Sequence, residues 1–331
     1  MEWFFSSNGD AESVLYYDCK GSNRQTGRTS IVIGVVLLLY GVVVEAMYSV
    51  VLMVLFRKQY RQMTCYRIMI SLALFGMAAI GICGLMTGVL WIVGANYCTH
   101  PNTIFISGCI AIGLWGGSCL ASYILALNRV LDICNSSGLA LLFDGHRSSI
   151  IISLPILYFL YFAFFTPPLL FNSDHMTWAF TPFTLNHNEN VYISYPHIAN
   201  NVLIVILTIM LYVVYSFVLL RRTKGQKGML ISQKSYLVQT SSICLMNFLS
   251  ALLYVYMELL PSPQYFGLIG HLFWILGHGT PVVIYMFCNA TIRREVNKMY
   301  AKFKPASKGE QSTTNGALSI GGAWAQRTRS I

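Results

Sequence analysis

The chain of 331 residues is 55% apolar and only 10% charged, whereas soluble globular domains carry about 25% charged residues, so a single water-soluble domain is excluded. Its net charge of +10 calls for no nucleic-acid partner. The basic residues collect between apolar runs and in a C-terminal tail, a pattern that the positive-inside rule and anionic inner-leaflet lipid account for.

Residues 1–30 form an N-terminal arm. With Glu2, Asp10, Glu12 and Asp18 and no sustained apolar stretch, it does not read as a cleavable signal peptide, so the first span is expected to direct insertion. Seven apolar runs follow, at 31–56, 68–93, 103–127, 150–170, 198–220, 237–260 and 265–288. Each exceeds the roughly 20 residues a helix needs to cross a bilayer. They predict an all-α membrane protein, a seven-transmembrane helix bundle over residues 31–300. After the last run, 291–303 sets Ile292, Val296, Met299, Tyr300 and Phe303 at helical spacing against Arg293, Arg294, Lys298 and Lys302. That pattern predicts a short amphipathic helix on the inner leaflet. Residues 301–331, rich in Ser, Thr, Gly, Ala and basic residues, read as a disordered cytosolic tail.

Of the 22 Lys and Arg, all but Lys20, Arg24 and Arg28 fall on one side once the seven runs are laid across a membrane. Cytoplasmic segments collect such residues, so an extracellular N-terminus and a cytosolic C-terminus are expected.

The nine cysteines are scattered singly, without the paired spacing of a zinc site or a redox dithiol. Only Cys19 and Cys98 fall on the outer, oxidising side. A disulfide pinning the arm over the outer mouth and a pair of free thiols both fit. A membrane hydrolase would need converging metal ligands. His271 and His278 share a face of the seventh run but lie two turns apart, roughly 10 Å, and a satisfied polar lining accounts for both. No metal and no cofactor is expected. Retinal chemistry would need a Lys in the core, and none occurs between Lys234 and Lys298. An ion channel would call for an Arg ladder or rings of charge, which the runs lack.

What remains suits a small-molecule binder that changes its helix packing. The third run ends in Ala126-Leu127-Asn128-Arg129-Val130. Arg129 at the inner mouth reads either as a switch that receives a cytosolic partner or as a snorkelling interfacial anchor. Glu45, mid-span in the first run, is costly as an isolated carboxylate and is expected to be protonated or paired with a polar group such as His278 or Thr280.

The assembled motifs carry more. Cys65-Tyr66-Arg67-Ile68-Met69, Tyr97-Cys98-Thr99-His100-Pro101, Gly113-Leu114-Trp115, Leu125-Ala126-Leu127-Asn128-Arg129 and Leu142-Phe143-Asp144-Gly145-His146-Arg147 occur in order. They continue with Phe165-Thr166-Pro167-Pro168-Leu169-Leu170-Phe171-Asn172-Ser173, His197-Ile198-Ala199-Asn200-Asn201, and His278-Gly279-Thr280-Pro281 through Tyr285 to Asn289-Ala290-Thr291-Ile292-Arg293. In this order and spacing, with Cys19 in the arm, they resemble the class T serpentine chemoreceptors of nematodes, a branch of the G-protein-coupled receptors, over residues 17–300. The resemblance implies a chemosensory receptor in the plasma membrane of sensory-neuron cilia, a small-molecule ligand and a heterotrimeric G protein. The rivals from other classes are a seven-span ligand-gated channel subunit, whose cytosolic N-terminus runs against the charge count, and a membrane hydrolase.

The departures are specific. Asn128 stands where rhodopsin-like receptors have an acid, and 229–239 offers no Asp or Glu to hold Arg129, so no ionic latch is expected; only Asp132 lies one turn away. Gly76 stands where many such receptors have an Asp, so no intramembrane sodium site is expected. Pro281 and Tyr285 are one residue further apart than usual, and Pro281 should still kink the last span.

Counting turns outward from Arg129 points Ala111, Ile112, Trp115 and Gly116 inward. Opposite them stand His197 and Asn201, then Tyr254 and Tyr256, then His271 and Trp274. This candidate pocket contains no Lys or Arg and suits an apolar or weakly basic molecule. On the inner side, the apolar stretch 139–143, with Leu142 and Phe143, and Arg221 and Arg222 below the fifth run form the candidate G-protein surface; an interfacial loop on lipid is the alternative.

Overall fold

The computed structural model describes residues 1–20, 24–134, 143, 145–183, 189–222, 229–260 and 263–303. Among them, seven helices are long and apolar enough to cross a membrane. They are α2 (Ile31–Leu55); α4 (Thr64–Ile80), continuing through a π-helical turn Gly81–Met86 into α5 (Thr87–Val93); α6 (Pro101–Cys134); α7 (Gly145–Phe165); α8 (Tyr195–Arg222); α9 (Met229–Leu259); and α10 (Tyr265–Cys288). Short α1 (Glu2–Ser6), α3 (Lys58–Arg61) and α11 (Ala290–Phe303) lie at the ends.

Hydrophobicity is distributed for lipid, not water. Val32, Val36, Leu39, Val42 and Val43 of α2 and Ile206, Ile209, Met210 and Val213 of α8 are exposed, as a helix flanked by acyl chains requires. The apolar window of α6 is 83% buried against 22% in α7, so α6 is the central helix. It packs on α4, α7, α8 and α9 and begins with Pro101 at its first position, where the missing N–H is harmless.

The fourth span ends five residues sooner than the hydropathy alone predicts. After Phe165 come Thr166, Pro167 and Pro168, and tandem prolines cannot continue a helix. The chain then forms a hairpin absent from the sequence reading, β1 (Leu170–Asn172) antiparallel to β2 (Thr177–Ala179), with Phe171 opposite Trp178. Asn172 Oδ1 accepts from the Asp174 and His175 amides at 2.9 and 3.2 Å and closes its turn. A bridge between Asn96 and Asn172 ties the hairpin to the end of α5.

The arm lies over the same end of the bundle. Cys19 and Cys98 are joined by a disulfide. The Tyr97 hydroxyl is 2.9 Å from the Tyr17 carbonyl and 3.2 Å from that of Ala11. Gly27 N donates to Gly94 O at 2.7 Å, and Asn96 Nδ2 to Gln25 O at 2.9 Å. Burial pushes the Tyr192 phenol up to about 12 and raises those of Tyr17 and Tyr97 further. Tyr192 uses its proton on the Tyr16 carbonyl.

At the opposite, tail end, Asn289 Oδ1 accepts from Thr291 N and Ile292 N at 3.1 and 3.2 Å and starts α11. Ile292 and Val296, one turn apart, are buried, while Arg293, Arg294 and Tyr300 are exposed. Between the two faces Glu295 pairs with Lys298 and with Arg57 beside α3. The Lys298 hydrogen bond, with the Arg57 charge behind it, holds the Glu295 carboxyl below the usual carboxylate range.

Candidate functional site

A cavity of about 640 Å³ opens at the arm end between the hairpin, α9 and the start of α10. Its floor and walls include Trp178, Phe180, Phe183, Tyr254 and Glu258, and its rim the exposed Leu259, Leu260 and Gln264. The volume falls in the range of small-molecule sites, roughly 300–1,000 Å³.

Two pairs of residues, each four apart on one helix face, build a polar layer at and behind the cavity wall. His197 and Asn201 come from α8 and Tyr254 and Glu258 from α9, and successive turns bring each pair into register. His197 Nδ1 lies 3.0 Å from Glu258 Oε1, and His197 Nε2 lies 3.1 Å from Asn201 Nδ2. Asn201 Oδ1 already accepts from Trp115 Nε1 at 2.9 Å and from Asn200 Nδ2 at 3.1 Å. Its amide nitrogen must therefore face His197 and donate to Nε2, which leaves the imidazole proton on Nδ1, donated to Glu258. The proton assignment follows from the network alone. Asn200 Oδ1 in turn accepts from the Tyr158 hydroxyl at 3.1 Å. A continuous polar chain thus runs from the cavity wall to the central helix.

An aromatic chain runs beside it. Trp178, held by donation from its Nε1 to Thr87 Oγ1 at 3.1 Å, meets Trp274 edge-on at 6.4 Å. Trp274 contacts His271 and His278, and His278 contacts Trp115 at 5.9 Å. His271 Nε2 lies 2.9 Å from the Cys83 carbonyl in the π-helical turn, where the extra residue per turn frees such a group.

Of the ten residues expected to line a pocket, Tyr254 lines this cavity. Ala111, Ile112, Trp115, His197, Asn201, His271 and Trp274 are buried in the packed layer next to it. Gly116 points elsewhere, because a Cβ there would meet the Phe162 ring of α7 at 2.8 Å. Tyr256 is exposed with its ring against Phe266. Glu258 is not among the expected pocket residues, although an acid inside an apolar run carries its own functional signal.

Glu45 meets neither of the two partners suggested for it. No hydrogen bond joins it to His278 or Thr280; Thr280 Oγ1 donates to Leu276 O at 2.7 Å, and Glu45 stays half-buried. Among the α2 residues that reach α10 is Tyr48, whose hydroxyl donates to the His278 carbonyl. It fits because position 76 is glycine: a Cβ there would overlap the Tyr48 hydroxyl.

At the tail end Asn128 is buried with Oδ1 unpartnered among the described residues, Arg129 is half-buried, and the buried Tyr285 lies within electrostatic reach of Arg129. Pro281 sits inside α10. Phe143 is buried, its carbonyl accepting from Thr64 Oγ1 at 3.0 Å, and so is not an exposed docking residue. Leu142 lies outside the described residues, as do the side chains of Arg221, Arg222 and Asp132. A contact the sequence does not advertise joins three helices: Gln239 Nε2 of α9 donates to the Cys288 carbonyl of α10 at 3.2 Å, and Asn289 Nδ2 reaches Gln239 Oε1 at 3.4 Å.

Residues 3–309 match the family described as serpentine type 7TM GPCR chemoreceptor Srt. Serpentine receptor class T-55 of Caenorhabditis elegans is 22% identical over 308 residues, covering 91% of this chain and 84% of its own length. The family is one of receptors, not of enzymes.

Proposed function

The chain belongs to the serpentine Srt chemoreceptor family, and on that premise we propose that it binds a small molecule in the arm-end cavity and activates a heterotrimeric G protein at the tail end. The observation that carries the reading is the cavity of about 640 Å³ joined to the central helix through Glu258, His197, Asn201 and Trp115. The arm end then faces the extracellular side and the tail end the cytosol, in agreement with the side on which Lys and Arg collect. The membrane is the plasma membrane, as sensory-neuron cilia require of a receptor sampling the exterior.

Signalling needs two packings whose populations the ligand shifts. Asn128 brings no charge to hold Arg129, and the Gln239 bonds to Cys288 and Asn289 tie α9 to α10 at this end. A buried hydrogen bond contributes about 1 kcal/mol net. Gln239→Leu should therefore raise ligand-independent signalling about five-fold at equal surface expression; unchanged basal signalling would remove Gln239 from the latch.

The coupling itself is tested in cells expressing the chain and challenged with an odorant panel, reading cyclic nucleotide and calcium. Arg129→Ala should lower the response at least about ten-fold without loss of surface expression. A response that survives the substitution, or a current independent of G protein, would reduce Arg129 to an interfacial anchor and favour a channel.

A further inference from the structure

The chemistry of the cavity wall names a ligand class. Glu258 has a side chain only 13% exposed, and it uses Oε1 on His197. Its Oε2 is buried with no partner among the described residues. A carboxylate oxygen shielded from water and lacking a donor is costly, and native structures leave few such groups without a reason. His197 spends its one ring proton on Oε1 and brings no second donor, and no Lys or Arg lines the cavity. The same cavity is lined by Trp178, Phe180, Phe183 and Tyr254, and aromatic rings favour a cation in a desolvated site. His175 also lines the cavity, its ring stacked flat on Phe183 at 3.8 Å, and makes no hydrogen bond to Oε2.

Resting on the reading of this cavity as the ligand site, we propose that the receptor recognises protonated amines carrying an apolar or aromatic body, the ammonium N–H donating to Glu258 Oε2 and the body packing on Trp178 and Tyr254. The orphan oxygen asks for a hydrogen-bond donor as well as a charge. Primary and secondary ammonium groups therefore outrank quaternary ones, and alcohols of the same skeleton rank lower because their donor is uncharged and adds no ion–ion attraction to the bond with the carboxylate. Occupation also couples to the core, because the carboxylate that meets the amine is the one that holds His197 and, through it, Asn201 and Trp115.

The test uses the full chain purified in lipid nanodiscs and three amines, 2-phenylethylamine, tryptamine and octylamine, each paired with its alcohol of the same skeleton. Affinity is read by ligand-observed NMR and checked by thermal shift. In the unaltered chain at least one amine should bind ten-fold or more tightly than its alcohol. Glu258→Gln should bring that pair to within about three-fold while alcohol binding and melting temperature stay close to the parent values, and Glu258→Asp should restore part of the preference. Thr181→Trp, which places bulk in the cavity, should abolish both. Equal binding of amine and alcohol, both lost in Thr181→Trp, would overturn the amine assignment and leave the cavity as the ligand site. An amine preference that persists in Glu258→Gln would also overturn it. The absence of any binding that Thr181→Trp removes would overturn the cavity reading as well.

Discussion

Cys19→Ser is expected to free the arm and cost the receptor much of its thermal stability. The bridge spans a sequence separation of 79 residues, and the chain-entropy relation gives about 4.5 kcal/mol for a loop of that length. The full amount will not appear as global unfolding, because Tyr97 still holds the Ala11 and Tyr17 carbonyls and Asn96 still holds Gln25. The loss should concentrate in the arm. Protease sites at Arg24 and Arg28 should open, and the melting temperature should fall by several degrees. Cys98→Ser should match it, and the double variant should be no worse than either, since both remove one interaction. A membrane-impermeant reductant on intact cells should reproduce the effect, because disulfides persist in oxidising compartments. That arm of the experiment also tests the orientation. Unchanged melting and unchanged proteolysis would mean that the non-covalent contacts suffice.

The bundle was legible in the sequence because lipid imposes a simple demand. Every span must satisfy its backbone internally and cover about 30 Å with apolar side chains, so runs such as 31–56 and 265–288 announce themselves. The amphipathic segment 291–303 is legible for the same reason, and α11 runs from Ala290 to Phe303. The hairpin was not. Leu170–Asn172 and Thr177–Ala179 are three residues each, too short for an alternating pattern, and the first hides in the tail of an apolar run.

The site suffered from that omission. Counting turns outward from Arg129 finds the buried face of α6, and Trp115 is indeed at the centre of a hydrogen-bonded layer. Depth is another matter. Trp178, delivered by the unforeseen hairpin, packs against Trp274, and the open space lies beyond that plug, among residues nearer the arm. Helical periodicity assigns a face; it does not report which loop fills the space in front of it. The same holds at Gly76, where the sequence reports a missing acid but not the Tyr48 hydroxyl that uses the room.

Gly108→Val should be the most damaging single substitution in the bundle. A Cβ at this position would overlap the Leu169 carbonyl oxygen and come within 2.7 Å of its carbonyl carbon and 3.0 Å of its nitrogen. All three are backbone atoms, so no rotamer change relieves the clash, and either α6 or the segment after α7 must move. Overpacking of a tight core costs about 1–3 kcal/mol and more where backbone must shift; about 3 kcal/mol or more is expected even for Gly108→Ala. Gly270→Ala is the control, because its nearest neighbour is the Met257 methyl at 2.8 Å, the far end of a flexible side chain, and its change should stay within about 1 kcal/mol. The functional consequence runs through the chain itself. Leu169 leads directly into β1, whose Phe171 pairs with Trp178 over the cavity. Any Gly108 variant that still reaches the surface should therefore melt earlier than Gly270→Ala and lose ligand response while keeping its seven spans. Equal melting temperatures and equal responses for the two alanine variants would show that the segment after α7 yields freely, and would remove the hairpin's rigid seat from the account of the site.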